Sequence, residues 1–260
     1  MFPFLQIGPL ALQVPGLLLL LGLWLGLTLA ERHAPRYGVN GNSLYNLVFI
    51  GLVSGVVGAR LAYVFRYPGI FAGNPASLVS LNPGLLDLWG GMAAGVISAL
   101  VYGQRKKIPF WPALDALTPV FAVLAAALSL ANLASGAAFG APADLPWAIE
   151  LWGAPRHPTQ VYHFLAAAAI LWIVWPGRGP VGRLQAGENG RFSGIVFLSF
   201  VALSAGASLF LEAFRGDSSL LPGGLRSAQV IAWFVLAASL WGLGRSLAGR
   251  SAVRALESQP

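Results

Sequence analysis

Pro155-Arg156-His157-Pro158-Thr159-Gln160-Val161-Tyr162 runs almost directly into the apolar stretch Phe164–Val174, and that junction decides how the chain is read. An Arg, a His and a Gln at the mouth of an apolar helix need water, lipid phosphate or one another, because bare hydrocarbon offers them nothing. The rest of the 260 residues sets the context. Hydrophobic residues make up 57%, charged residues 10%, the mean hydropathy is +0.70, and there are nine Trp. A soluble domain carries about 25% charged residues. Several apolar stretches reach the ~18 residues that call for a bilayer. The expected class is an all-α, polytopic membrane protein.

Seven apolar runs can be marked: roughly Val14–Ala30, Leu44–Phe65, Leu85–Tyr102, Trp111–Leu133, Tyr162–Trp175, Phe192–Leu211 and Ser227–Leu243. The fifth is short, and its helix is expected to extend back through the polar box. The first is expected to be a retained span rather than a cleaved signal. No Lys or Arg precedes it, and no small-x-small cleavage pattern follows at a suitable distance.

Orientation follows from the basic residues in the connections. Arg32, Arg36, Arg105, Lys106, Lys107, Arg178, Arg183, Arg191, Arg245, Arg250 and Arg254 are 11 of the 16 Lys and Arg, and seven spans put all of them on one side. That side is expected to be the cytoplasm. The N-terminus is then outside, and the C-terminus inside with a tail from about 245. The outward connections are Arg66–Gly84, Ala134–Gln160 and Glu212–Arg226, rich in Pro and Gly and sparse in charge. They read as caps held against the membrane. No linker or repeat marks a second domain, so residues 1–260 are expected to form one. The chain has no Cys, hence no disulfide, no thiolate of its own and no thiol-based metal site. Neither a metal nor a cofactor is expected, and nothing points to nucleic acid.

Several polar residues sit near or inside the apolar runs, and each has a plain and a functional reading. Arg60 either snorkels to the interface or binds a lipid phosphate, which a guanidinium matches bidentately. Glu212 either pairs with Arg60 or Arg156 or is an ordinary interfacial acid. Asp115 reads as structural, a carboxylate near a positive helix end beside Pro109, Pro112 and Pro119. Asn132 either ends its helix before Gly136 or hydrogen-bonds a headgroup. His157 and His163, six apart, share no helix face, so a metal pair is not expected. Gly51-x-x-x-Gly55 and Gly91-x-x-x-Gly95 read as close-packing devices.

The opening box also resembles the Arg-His-Pro-Ser-Gln-Leu-Tyr signature of the bacterial prolipoprotein diacylglyceryl transferases. The similarity runs in order along the chain. Ile7-Gly8-Pro9-Leu10 resembles that family's start, and Gly58-Ala59-Arg60 with Tyr63 its Gly-Gly-Arg segment. Asp115-Ala116-Leu117-Thr118-Pro119 resembles its Asp-x-x-Ala-Pro, and Asn132 falls where its Gly-Asn-Phe tract would. Gly136 and Gly140 fit its Asn-Gly-Glu loop, and Pro146-Trp147-Ala148 its Pro-aromatic-Ala. Glu212-Ala213-Phe214-Arg215 before Asp217 resembles its Glu-Phe-Phe-Arg, and Gln229 the Gln opening its last helix.

The resemblance implies transfer of diacylglycerol from phosphatidylglycerol to the lipobox cysteine of a prolipoprotein signal peptide, in the bacterial inner membrane. It implies substrate binding by Arg60, Asn132, Gly136, Arg156, Gln160, Glu212 and Arg215. Other positions depart from the family pattern. Trp89 stands where the family has its His, Ser129 and Ser208 where it has two Arg, Ala137 for a Glu and Pro15 for a Tyr. His157 and Asp87 are the candidates to replace the missing base. Arg60, Arg156 and Glu212 are expected to converge on one cavity at the outer leaflet, within about 10 Å. A missing general base lowers rates by roughly 10²–10⁴-fold, so weak or absent turnover is expected. The alternative is a non-catalytic phospholipid-binding or complex-assembling membrane protein on the same scaffold.

Overall fold

Local sequence signals mark several helix ends in the computed structural model, which describes residues 4–7, 10–72, 83–183 and 194–257. Helix α1 (Val14–His33) has proline in its first turn, where the missing N–H is harmless. Helix α2 (Gly41–Arg66) is capped by Asn40, which accepts from Ser43 N–H. Helix α3 (Leu88–Arg105) is capped in the same way by Asp87, which accepts from Gly90 N–H at 2.7 Å. Helix α4 (Phe110–Ser135) ends on Gly136, whose φ of 76° closes the last turn. Helices α5 (Thr159–Ile173), α6 (Ile195–Leu211) and α7 (Ser227–Glu257) follow. Shorter helical turns lie at Ala34–Tyr37, Pro68–Ala72, Pro83–Leu85 and Glu212–Phe214.

Five segments are long and apolar enough to cross a membrane: Val14–Tyr37, Gly41–Arg66, Phe110–Ser135, Ile195–Phe214 and Ser227–Ala248. Helix α5 has only 15 residues. It begins at Thr159, so the polar box extends the helix only in part. Helix α3 is 18 residues long, but its glycines and its Gln104-Arg105 end dilute its apolar character. Helix α7 continues through the expected tail to Glu257.

The all-helical expectation holds apart from two short hairpins. Strand β1 (Phe4–Ile7) pairs antiparallel with β2 (Leu10–Gln13), and β3 (Ile149–Leu151) with β4 (Ala154–Arg156). Trp152 (φ 56°) and Gly153 (φ 75°) form the β3–β4 turn, and two successive positive φ values match the right-handed twist of a tight hairpin. Of the residues read above, Gly8, Pro9, Arg191 and Phe192 lie outside the described residues.

Without water between helices, close van der Waals packing through small residues is what draws them together. Helices α2 and α3 meet through glycines. A Cβ on Gly95 would lie 2.8 Å from the Gly51 carbonyl oxygen, and one on Gly91 2.9 Å from that of Gly55. The two small-residue steps read from the sequence therefore face each other. Helix α1 packs on α4, and α6 on α7. The buried apolar cluster joins Ala30 and Ala34 at the end of α1 with Ala113 and Ala116 at the start of α4, Val174 after α5 and Val196 at the start of α6. At the other end, isolated backbone bridges tie Gly140 to Arg215 and Pro142 to Arg156. The ends of α4, α5 and α6 thus sort into two sets.

Candidate functional site

The polar box turns out to be a brace. Arg156 lies on β4 and meets backbone carbonyls: its Nε donates to Leu151 O at 2.9 Å and its Nη1 to Gly140 O at 3.3 Å. Its guanidinium also stacks 4.9 Å above the Phe139 ring. Thr159 Oγ1 donates to Ala138 O at 2.7 Å, and Gln160 Nε2 to Ala137 O at 2.8 Å. Four side-chain hydrogen bonds from the box therefore hold Ala137–Gly140 and the hairpin, where the loop must turn through Ala138 at φ 52°. His157 N–H donates to Ala141 O at 3.1 Å. Its ring packs on Phe214 at 5.1 Å, with Nδ1 3.4 Å from the Tyr162 hydroxyl.

Glu212 finds its partners locally. It is 4% exposed, accepts from Ser218 Oγ at 2.6 Å, and pairs with Arg215 Nη1 at 3.4 Å. Arg215 is shared with Asp217, at 2.8 Å from Nη2. Arg226, which the sequence did not single out, donates from Nη1 to Arg215 O at 2.7 Å, to Ser218 Oγ at 3.0 Å and to Glu212 O. Burying a carboxylate this deeply is costly unless its oxygens are satisfied. Of the arginines, it is Arg215, three residues on, that pairs with Glu212, where the sequence offered Arg60, Arg156 or an unpaired interfacial acid.

Arg60 is braced on the α2–α3 side. Its Nη1 donates to Leu85 O at 2.8 Å, and its guanidinium lies 5.5 Å from the Phe71 ring centre. Close by, Asp87 pairs with Arg66 Nη1 at 3.1 Å. The Gly90 N–H, followed by Arg66, holds the Asp87 carboxyl below its ordinary range. A carboxylate so stabilised is a weaker proton acceptor. Trp89 projects outward, 74% exposed.

A cavity of about 230 Å³ opens between α4, α5 and α6. Ser129 and Asn132 reach it from α4, Gln160 and His163 from α5, Ser204 and Ser208 from α6, and Arg215 from the following turn. Of the residues expected to bind substrate, Asn132, Gln160 and Arg215 share this wall. Gly136, the cap of α4, holds the adjoining loop, and its carbonyl accepts from Trp152 Nε1 at 3.2 Å. Arg60, Asp87, Arg156, His157 and Glu212 are not part of the wall. Ser129 and Ser208, marked in the sequence only as departures, both line it. His163 and Ser204 were passed over as binding groups, yet their spacings carry a signal. Gln160, His163 and Ala167 follow helical periodicity, as do Ser204 and Ser208. A second, apolar groove of about 680 Å³ runs between α1, α2, α3 and α4, floored by Gly51, Gly55, Gly91 and Gly95.

Long apolar helices joined through glycine backbones, with loops paired at one end near a small cavity that several polar side chains reach, define a helical multi-pass membrane protein. The sequence matches the model of the family described as Prolipoprotein diacylglyceryl transferase over residues 3–244. The chain belongs to this family. It is 31% identical to the phosphatidylglycerol–prolipoprotein diacylglyceryl transferase of Azoarcus sp. (strain BH72), over 86% of this chain and 86% of that protein. The enzyme of the same name from Bordetella avium (strain 197N) is 31% identical over 92% and 90%. That of Clostridioides difficile (strain 630) is 28% identical over 83% and 83%.

Proposed function

We propose that this chain transfers the diacylglyceryl group of phosphatidylglycerol to the lipobox cysteine of a prolipoprotein signal peptide, as a single multi-pass domain of the bacterial inner membrane. One observation carries the reading. Ser129, Asn132, Gln160, Ser208 and Arg215, from three separate segments of the family resemblance, line one cavity. The names of relatives that align over most of the chain support it. In the transfer, the thiol sulfur bonds to the glyceryl carbon, the C–O bond to phosphate breaks, and the thiol proton ends on the departing glycerol phosphate.

In this reading Asn132, Gln160 and Arg215 contact the headgroup. Gly136, Arg156 and Glu212 hold the loops that wall the cavity, and Arg60 meets phosphate on the α2–α3 side. Of the two candidate proton acceptors, Asp87 is committed to capping α3, which leaves His157. Seven spans, an outside N-terminus and a cytoplasmic C-terminus belong to the same reading. They are supported by the one-sided basic connections and by the two sets of helix ends.

A second reading, a phospholipid-binding protein without turnover, is favoured by one specific observation: the cavity wall carries serine at both positions where the resemblance places arginine. The two are separated by incubating purified protein with phosphatidylglycerol and a lipobox peptide and following the peptide mass. Slow transfer that His157→Ala abolishes is the expected result. Absence of transfer by the unmodified protein, with phospholipid still co-purifying, overturns the first reading in favour of the second.

A further inference from the structure

We infer that His163 is the general acid of the transfer, giving its ring proton to the phosphate oxygen that leaves the glyceryl carbon. The inference rests on the proposed function and adds a catalytic residue to it. Among the described residues, His163 and Arg215 are the two ionisable groups lining the cavity between α4, α5 and α6. Arginine keeps its proton at any working pH, whereas histidine loads and releases one near neutrality. Helix α4 brings Ser129 and Asn132 to the wall, and α6 brings Ser204 and Ser208, none of which titrates in that range. The charged groups that act on the His163 ring are Arg215 and Glu212, both from the turn after α6. The ring is also uncommitted. His157 is held against the Tyr162 hydroxyl and the Phe214 ring. His163 is half-buried, and among the described residues its ring takes part in no hydrogen bond.

Charge makes a proton necessary at this wall. Breaking the C–O bond turns a phosphodiester with one negative charge into a phosphate monoester with two. Little is present to offset the second charge. Glu212 and Asp217 already share the Arg215 guanidinium, at 3.4 and 2.8 Å. Serine lines the wall at both positions where the resemblance places arginine. A proton delivered as the bond breaks removes the new charge where it forms. A phosphate monoester takes up its second proton at a pKa of about 6, and an ordinary histidine titrates at about 6.5. Donation between such groups is nearly balanced in free energy, and a general acid works best with a pKa close to the working pH. The bonds balance as follows. The thiol sulfur bonds to the glyceryl carbon while His157 takes the thiol proton. The C–O bond breaks while the departing oxygen takes the His163 proton. Solvent then recharges His163 and discharges His157, so the net movement is of the thiol proton to glycerol phosphate.

The experiment measures kcat for full-length protein with phosphatidylglycerol and a lipobox peptide between about pH 5 and 9. Native mass spectrometry reports phospholipid occupancy, and thermal shift reports folding. A general acid must be charged to act, so kcat of the parent should fall as pH rises past neutrality. His163→Gln and His163→Asn should each lose about 10²-fold or more in kcat and flatten that alkaline limb. Their phospholipid occupancy should match that of the parent. Where a variant fails to fold, the alkaline limb of the parent decides alone. A parent whose kcat does not fall on the alkaline side overturns the inference. So does a folded His163→Gln protein that keeps the parent's turnover and profile, or one that loses phospholipid occupancy along with turnover. A parent without transfer at any pH refutes the transferase reading itself, and the general acid with it.

Discussion

Replacing Asp115 by alanine should loosen α6, although Asp115 lies in α4. The carboxylate is fully buried and accepts two backbone N–H groups at the start of α6: Gly194 to Oδ2 at 2.5 Å and Phe197 to Oδ1 at 2.8 Å. It therefore caps a helix whose first flanking residue, Gly194, lies 79 residues later. These N–H groups have no partner within their own helix, and the positive helix end favours an anion beside it. Leaving a buried donor unsatisfied costs about 1–3 kcal/mol. Gly194 is buried and Phe197 half-buried, so the two together should cost about 2–4 kcal/mol. At about 2–4 °C per kcal/mol for a chain near this size, the midpoint should fall by ~4–16 °C. Asp115→Asn keeps one carbonyl acceptor and should lose about half as much. Intrinsic tryptophan fluorescence during heating in detergent reads both variants against the parent. An Asp115→Ala protein as stable as the parent would refute the assignment of Asp115 as the cap of α6.

At the glycine contact of α2 and α3, Gly95→Ala should destabilise by about 1–3 kcal/mol through overpacking against the Gly51 carbonyl. Gly16→Ala in α1, where a Cβ meets nothing within 4 Å, should be neutral or stabilising in the same melting assay. Because the folded-state pKa of Asp87 is depressed, its contribution is present above the ordinary carboxylate range and is lost as pH falls through the folded value. The stability gap between parent and Asp87→Asn should accordingly close on acidification below about pH 4, and a gap unchanged down to pH 3 would contradict this. Reporter fusions after Lys107 and Arg183 should report cytoplasm, and a fusion near Asp144 the opposite side. A cytoplasmic signal near Asp144 would overturn the orientation.

Helix positions were legible because apolar runs and caps are local signals. Val14–Ala30 became Val14–His33, and Trp111–Leu133 became Phe110–Ser135. The paired Gly-x-x-x-Gly steps were legible too, since only small residues let two backbones touch. Partners of the charged groups were not. Counting charges suggested that Arg60, Arg156 and Glu212 would line one cavity, but none of them lines the one between α4, α5 and α6, and backbone carbonyls accept from both arginines. Every residue supplies a carbonyl, so the sequence carries no mark of which one will serve. Gln160 shows the same limit: its residue type announced a hydrogen bond, while the acceptor its amide nitrogen finds, the Ala137 carbonyl, carries no mark in the sequence. The β3–β4 hairpin escaped notice because Trp152-Gly153 is a weaker turn signal than Asn-Gly or Asp-Gly.

The bond from Asp115 to α6 also sets an order of biosynthesis. Chains grow at about 5–20 residues per second, so some 4–16 s separate the synthesis of Asp115 from that of Gly194. During that interval α4 is already made, and its carboxylate has yet to meet the two N–H groups that it will hold. The bridge from Gly140 to Arg215 closes later still. A nascent chain stopped after α5 would carry both connections unfinished, although the pairings of α1 with α4 and of α2 with α3 are already available to it.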